Sequence, residues 1–421
     1  MADCREMLPA PRDEAAPWAF DVIDQVHARA GRCVAILRPL LRPYTYGVQG
    51  DPSLAGRKRP RSARAKRQAG GALETITVVE NEPGLCDAIG RTHQAFLRAG
   101  ARALLHTRTC SCGEAPGDGL DLLAELRNGG WQEEGDTPEE AGSAGGAQGA
   151  LLQELRVDYT SDEIGVQLLR QRWVSNAAQC ARWLRAFGQR WQLPASSTCL
   201  LSEMRGWAAP LQLMRPAGGF ELVVIDPPWP SLSAKRARAY ETAADIRTSL
   251  PAQVPLRELL SAETGALVCV WCTNRKAFSD WIVETLFPGW GLRHIATWYW
   301  LKVAVECGAL ATGPVDSPHR KPWEPLLIGV AGNPHWVRGF PQRLVVCAPP
   351  VGHSVKPPLE ALLRKHASSG STTTSSSAPG RPLFAPGSKL ELFARELHPG
   401  WCSAGNQTLL FQGEGWFCRA V

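Results

Sequence analysis

The amino-acid sequence predicts an α/β fold: a parallel sheet in the C-terminal half, preceded by a mainly helical N-terminal accessory region. Three observations point there. From Ser196 onward, short apolar runs alternate with helical patterns, the signature of a sheet with crossover helices. One of those runs, Leu222-Val223-Val224-Ile225, is apolar at every position, as a strand buried on both faces must be. It stops abruptly at Asp226-Pro227-Pro228-Trp229. In open α/β sheets, ligands bind at that end of the strands.

The chain has 421 residues, 44% of them hydrophobic, enough for two or three domains and a sizeable core. A net charge of +6 and a pI of about 8.7 permit a polyanionic partner without requiring one. Thirteen cysteines run from Cys4 to Cys418 without framework spacing, and the N-terminus lacks an apolar core. No run approaches the ~18 apolar residues of a membrane span. A reducing, intracellular setting with free thiols is the expectation. Ten of the sixteen tryptophans lie from Trp229 onward, so the aromatic weight sits in the C-terminal half.

The chain divides near residue 195, into an accessory region at 1–195 and a catalytic-type α/β domain at 196–421. In the first part, residues 18–41 have a helical apolar pattern (Phe20, Ile23, Val26, Val34, Ile36, Leu37). The run RKRPRSARAKR at 57–67 holds seven basic residues in eleven and reads as a nuclear-import or nucleic-acid patch in a disordered segment. Residues 75–105 combine a short strand (Ile76, Val78, Val79) with a helix over 88–105. The stretch of about 113–150 is rich in Gly, Glu and Asp and reads as a disordered linker. Residues 151–193 return to helix, with Arg170, Arg172, Arg182, Arg185 and Arg190 forming one basic face.

In the second part the expected strands are 222–225, 266–271, 295–303, 326–330, 344–347, 389–393 and 408–411. A helix is expected over 274–287, with Phe278, Trp281, Ile282 and Leu286 on one face. Lys356-Pro357-Pro358 opens another, because proline fits the first helical turn. The low-complexity segment 368–377 reads as a surface insertion. Cys269 and Cys272 form a lone CxxC within a strand, where core packing is the better reading than a metal pair.

The residue types after the strand suit a planar ring that bears an exocyclic amine. Such an amine is a poor nucleophile because its lone pair is delocalised into the ring. Two acceptors on its two hydrogens draw the nitrogen toward a tetrahedral geometry. Asp226 supplies one acceptor and the Pro227 carbonyl the other. Consecutive prolines fix the backbone and lower the reorganisation needed at the transition state. Trp229 offers a stacking face worth ~1–3 kcal/mol. Further along, His353-Ser354-Val355-Lys356 places a cation at a strand-to-helix junction, and Phe393 and Arg395 end a strand before Asn406 and Gln407. His319 and Lys321 precede another strand as candidate substrate contacts. Lys235, Arg236 and Arg238 follow the tetrad as candidate phosphate contacts.

These motifs together resemble the MT-A70-like adenine-N6 methyltransferases: DPPW at 226–229, HRKPWE at 319–324, HSVKPPLEALL at 353–363, ELFAR at 391–395 and PGW…GNQ at 399–407. The resemblance covers about residues 200–411. It implies a Rossmann-like sheet in permuted motif order, with S-adenosyl-L-methionine as methyl donor. It implies that Asp226, Pro227, Pro228 and Trp229 form the catalytic motif. Asp226, Lys356, Phe393, Arg395, Asn406 and Gln407 are the implied cofactor contacts. It implies methylation of an adenine N6 amine in small nuclear RNA, including 2'-O-methyladenosine, or in DNA. With the basic run at 57–67, the nucleus is the expected location and the cytoplasm the secondary one. Ser202-Glu203 departs from the Asp that relatives often carry there. The alternative is a non-catalytic nucleic-acid-binding scaffold of the same fold. Methylation of a protein glutamine amide is disfavoured, because those enzymes usually carry Asn-Pro-Pro-Tyr. No metal site, membrane association or protein partner is evident in the sequence.

Overall fold

A computed structural model of the chain describes residues 84–99, 173–186, 188–205, 207–230, 246–304, 308–317, 321–350, 355–368 and 383–414, together with the strands at 20–22, 35–37, 155–156 and 417–419. Structural statements below concern these residues. The basic run 57–67, the strand expected at 76–79, the segment 113–150 and the insertion after Ser368 lie outside them.

The strands in chain order are β1 (Phe20–Val22), β2 (Ala35–Leu37), β3 (Leu155–Arg156), β4 (Trp173–Asn176), β5 (Arg182–Ala186), β6 (Gln189–Leu193) and β7 (Ser197–Leu201). They continue with β8 (Leu222–Ile225), β9 (Ala266–Trp271), β10 (Leu292–Lys302), β11 (Trp323–Ala331), β12 (Arg343–Ala348), β13 (Lys389–Leu392), β14 (Trp401–Gly405) and β15 (Phe417–Arg419). Eleven of them form one sheet, in the order β1-β12-β10-β11-β9-β8-β13-β14-β7-β4-β3. β8 pairs in parallel with β9 on one side and with β13 on the other. From β8 the chain builds outward through β9, while β13 and β14, formed by the far end of the sequence, fill the gap back to β7. The strand order therefore reverses between β8 and β13, and that switch point opens a crevice at their carboxyl ends.

β8 is buried on both faces. Val223 and Ile225 enter one core with Val268, Val270, Ile282, Phe287 and Leu390. Leu222 and Val224 enter the opposite core with Leu267, Trp271, Trp300, Leu326, Leu359 and Leu363. This period of two is the strand geometry itself, and each such side chain contributes about 1.5–3 kcal/mol by burial. The expected helix over 274–287 is present as α5 (Lys276–Trp281) with a π-helical continuation, Ile282–Leu286. It follows, in chain order, α1 (Leu85–Arg98), α2 (Ala208–Met214), α3 (Ile246–Gln253) and α4 (Leu256–Leu259), and precedes α6 (Glu360–Ser368). α1 covers Tyr299, Leu301, Val345 and Cys347 through Leu85, Ile89 and Phe96. No described helix is long and apolar enough to cross a membrane.

Several expectations are corrected. Within 18–41, where a helix is expected, lie β1, parallel to β12, and β2, antiparallel to β15. Within 151–193, also expected as helix, lie β3, β4 and the β5–β6 hairpin. There the buried positions Leu184 and Ala186 alternate with the exposed Arg185, a period of two that the helical pattern mistook for 3.6. Residues 408–411 form turns rather than a strand. The true strand is β14, whose small residues Cys402, Ser403, Ala404 and Gly405 carry little strand propensity. β7 was not expected, and α6 begins at Glu360, beyond the two prolines. The sheet is not wholly parallel: β11 runs antiparallel to β10 and β9, and β4 to β7.

Candidate active site

The crevice at the switch point is a cavity of about 600 Å³, lined by residues that include Asp226, Trp271, Lys356, Glu391, Phe393, Arg395, Glu396, His398 and Trp401. Register sets its geometry. Ile225 of β8 pairs with Leu392 of β13, so Asp226 and Phe393 leave the sheet side by side. The Asp226 N–H donates to the Leu392 carbonyl at 3.3 Å, which extends the ladder by one bond. Phe393 turns there with φ 61°, a left-handed conformation that is uncommon for a bulky residue. Such strain persists only where the surroundings fix it. Its ring lies 5.0 Å from that of Trp207, which helps to hold it. Gly405 is required beside this turn: a Cβ there would stand 2.9 Å from the Ala394 carbonyl oxygen and 3.0 Å from the Ala394 nitrogen.

Behind Asp226 stands a chain of alternating charges. The Lys356 ammonium donates to Glu324 at 2.7 Å and lies 3.4 Å from the Asp226 carboxylate. Glu324 in turn accepts from Lys302 at 2.5 Å. Burial opposes the charge on Lys356, but Asp226 and Glu324 outweigh it and raise the ammonium above its ordinary range. Burial likewise opposes ionisation of Glu324. Lys356 and Lys302 overcome it and hold the carboxyl well below the usual carboxylate range. Asp226 thus faces a cation that stays charged across the whole neutral range.

The tetrad folds on itself. The Trp229 N–H donates to the Pro227 carbonyl at 2.8 Å, closing a three-residue turn. A carbonyl oxygen has two lone pairs, so one acceptor site remains at Pro227. Trp229 corrects the expectation of a stacking face. It is only 5% exposed, and its indole N–H donates to the Trp271 carbonyl at 2.8 Å. Its ring packs 4.7 Å from Phe278 and 6.4 Å from Trp281. The two prolines turn the backbone so that this side chain points back into the core, where it clamps the tetrad to β9 and α5.

The remaining expected residues divide. Lys356, Phe393 and Arg395 line the cavity with Asp226. Gln407 accepts from the Arg395 guanidinium at 3.1 Å, so it orients a wall residue from outside the cavity lining. Asn406 is exposed beyond β14. Lys321 is not brought to the cavity: it donates to Cys86 at 3.3 Å and sits 5.2 Å over the Trp323 ring, against α1. Strand alternation explains this, because Trp323 faces α1 and Glu324 faces Lys356. Lys235, Arg236, Arg238 and His319, with His353 and Ser354, lie outside the described residues. Cys269 and Cys272 are core residues, as expected, and burial pushes the Cys272 thiol up to about 12.

Sequence reasoning missed three groups. Glu324 stood at the end of a noted motif, yet only the β9–β11–β10 order places it between two lysines. Glu391, Glu396 and His398 gather on the cavity wall, with the His398 imidazole 3.8 Å from both carboxylates. Glu360 accepts from Lys389, Arg364 and the Trp401 indole at 2.6–2.9 Å, pinning α6 to β13 and β14. Nothing in the local sequence marks these three groups as neighbours. Among the described residues no cluster fit to hold a metal ion is present.

Residues 220–407 match the MT-A70 family model. The N(6)-adenine-specific methyltransferase METTL4 of Mus musculus is 34% identical over 260 residues, covering 59% of this chain and 50% of that protein. METTL4 of Homo sapiens is 32% identical over 275 residues, 63% of this chain and 53% of that protein. The N6-methyladenosine RNA methyltransferase MTA1 of Pyricularia oryzae is 36% identical over 209 residues, 48% of this chain and 50% of that protein. The chain spans about half the length of these relatives.

Proposed function

We propose that the protein is an S-adenosyl-L-methionine-dependent methyltransferase acting on the N6 amine of adenine in nucleic acid, a reading supported by the match of residues 220–407 to the MT-A70 family model. The observation that carries the reading is the pairing of β8 with β13. It sets an acceptor carboxylate, Asp226, beside a cavity whose walls hold Lys356, Arg395, Glu391 and Phe393. The donor set fits the cofactor. Lys356 and Arg395 suit its carboxylate, Asp226 and Glu391 its ammonium and ribose hydroxyls, and Phe393 and Trp401 its ring. When bound, the cofactor supplies an electrophilic methyl group on a sulfonium.

The chain's own residues do the rest. The target adenine leaves its stack to reach the crevice. The Asp226 carboxylate and the remaining lone pair of the Pro227 carbonyl accept hydrogen bonds from the two amine hydrogens. They thereby free the nitrogen lone pair for attack. Lys356, 3.4 Å away, holds Asp226 in place, and Trp229 fixes the turn that carries both acceptors. These groups are set before the reaction begins, which is the condition under which such electrostatic help is large. Adenine in small nuclear RNA, including 2'-O-methyladenosine, and adenine in DNA are the two substrate classes proposed. Nuclear action is proposed from the basic run at 57–67.

The test is methyl transfer from labelled cofactor to matched RNA and DNA oligonucleotides, with Asp226→Ala as control. Transfer by the wild type that disappears in the variant supports the reading. A variant as active as wild type would overturn the role of Asp226. A wild type inert on every adenine substrate would favour a nucleic-acid-binding scaffold instead.

A further inference from the structure

We propose that Lys302, the last residue of β10, is a positioning residue for the transfer step, acting on Asp226 through Glu324 and Lys356. The inference rests on the methyltransferase reading above. Neither Lys302 nor Glu324 lines the cavity. Lys302 stands three strands away from Asp226, in the sheet order β10-β11-β9-β8. β9 is parallel to β8, and the two antiparallel steps through β11 bring β10 back to the same direction. The carboxyl end of β10 therefore lies on the edge where the crevice opens. Trp300 is opposite Glu324 in the register of β10 and β11, and Lys302 follows Trp300 by two residues. All three thus share one face of the sheet, and Trp300 enters the same core as Trp271 of β9. Each ammonium lies over one of these indoles, Lys302 at 4.9 Å over Trp300 and Lys356 at 5.6 Å over Trp271. The two rings meet edge to face at 6.0 Å. That floor keeps water from one side of the row, so its charges act on each other more strongly than on an open surface.

Two carboxylates share Lys356. Its ammonium stands 2.7 Å from Glu324 and 3.4 Å from Asp226. Left to itself, the nearer carboxylate would draw the ammonium away from the farther one. Lys302 opposes that pull, because it takes Oε1 of Glu324 while Lys356 takes Oε2. One negative charge is then divided between two cations, and Lys356 keeps charge to offer Asp226. Without Lys302, the whole of that negative charge falls to Lys356. The ammonium then moves off Asp226 and off the cavity wall, and Asp226 loses the group that fixes its carboxylate for the amine hydrogen. Transfer is sensitive to such a shift, since a displacement of about 1 Å near the reacting atoms can cost ~100-fold.

The experiment measures single-turnover methyl transfer to the RNA and DNA oligonucleotides and calorimetric binding of S-adenosyl-L-methionine, on the full chain. Lys302→Met should lower the rate at saturating cofactor and oligonucleotide by about tenfold, as a partial displacement requires. It should weaken cofactor binding several-fold and leave the half-saturating oligonucleotide concentration unchanged. Lys302→Arg, which keeps the cation, should restore both rate and affinity. Added to Glu324→Gln, Lys302→Met should cause no further loss, because the link through which it acts is already cut. A merely structural role would give neither that rescue nor that lack of additivity. Lys302→Gln replaces Lys302→Met should the latter impair folding. Wild-type rate and affinity in the folded variant would overturn the proposal, and so would equal losses in the wild-type and Glu324→Gln backgrounds. If the wild type binds the cofactor but transfers no methyl group, the proposed activity falls and the calorimetric arm decides on Lys302. If the wild type does neither, both fall.

Discussion

Lys356, partly buried, and Lys389, buried, are each hydrogen-bonded to a glutamate at 2.7 Å, and they stand near opposite ends of β13. Their ammonium groups nevertheless shift in opposite directions. Burial lowers both. At Lys356, two carboxylates, Asp226 and Glu324, overcome burial and raise it. At Lys389, burial is opposed by one carboxylate, Glu360, and more weakly by Cys402, while the Arg364 cation adds to it, so the group is lowered. The number of carboxylates per cation therefore decides the sign, since desolvation is common to both. The first arrangement presents a fixed charge to the crevice. The second clamps α6 onto the sheet and has no free charge to offer.

The comparison can be broken or sharpened at five positions, in order of expected effect. Asp226→Ala should lower methyl transfer by at least ~1000-fold, because it removes the acceptor proposed for the reacting amine. Thermal unfolding should change little, since Lys356 keeps Glu324. Single-turnover kinetics with labelled cofactor read the first, and calorimetry the second.

Glu324→Gln should cost about 3 kcal/mol of stability, because it leaves two partly buried cations facing each other. The pH dependence sharpens this. The raised Lys356 stabilises the fold below its unfolded pKa of about 10.4, and that contribution is lost as pH rises through the folded value. In the variant the loss should begin at lower pH. Glu324 is depressed, so its contribution is present above its ordinary 4.5 and is lost only as pH falls far below that value. Urea unfolding across pH tests both limbs. A variant with the wild-type alkaline limb would break the account of Lys356.

Glu360→Gln should cost about 2–3 kcal/mol by leaving Lys389 without its carboxylate, a side chain only 4% exposed. Cofactor affinity should fall, because Glu360 lines the same cavity and orients Trp401, while the single-turnover rate at saturating cofactor should be spared, because the Asp226–Lys356 contact is untouched. A parallel collapse of single-turnover rate would show that the two lysine networks are coupled. Trp229→Phe should cost about 1 kcal/mol through the lost bond to the Trp271 carbonyl, with a several-fold fall in turnover as the turn loosens. Lys389→Met should have the smallest effect, below about 1 kcal/mol. Glu360 retains Arg364 and Trp401, while the burial penalty of the ammonium disappears.

Much of the site was legible because its residues fall at strand ends. The apolar run 222–225 followed by Asp-Pro-Pro declared both the strand and the place where it opens, and the ELFAR segment did the same for Phe393 and Arg395. The helices assigned over 18–41 and 151–193 failed for a different reason. In segments with mixed apolar spacing, periods of two and 3.6 are hard to separate until a partner strand is known. β14 was hidden by its small residues, which carry no propensity signal but allow the close approach that Gly405 makes to Ala394.

The sequence by itself determined the chemistry available: the acceptor carboxylate, the rigid prolines, the lysine before α6 and the aromatic strand end. These are local properties of residue type and of hydrophobic period, so one dimension suffices to state them. Only the tertiary structure decided which of them meet. β13 inserts beside β8 from more than 160 residues away, β11 brings Glu324 between Lys302 and Lys356, and Pro227 and Pro228 turn Trp229 inward to clamp rather than stack. Strand order and side-chain direction are set by packing between distant segments. No local pattern encodes that packing, and it assigns identical lysine–glutamate pairs to opposite tasks.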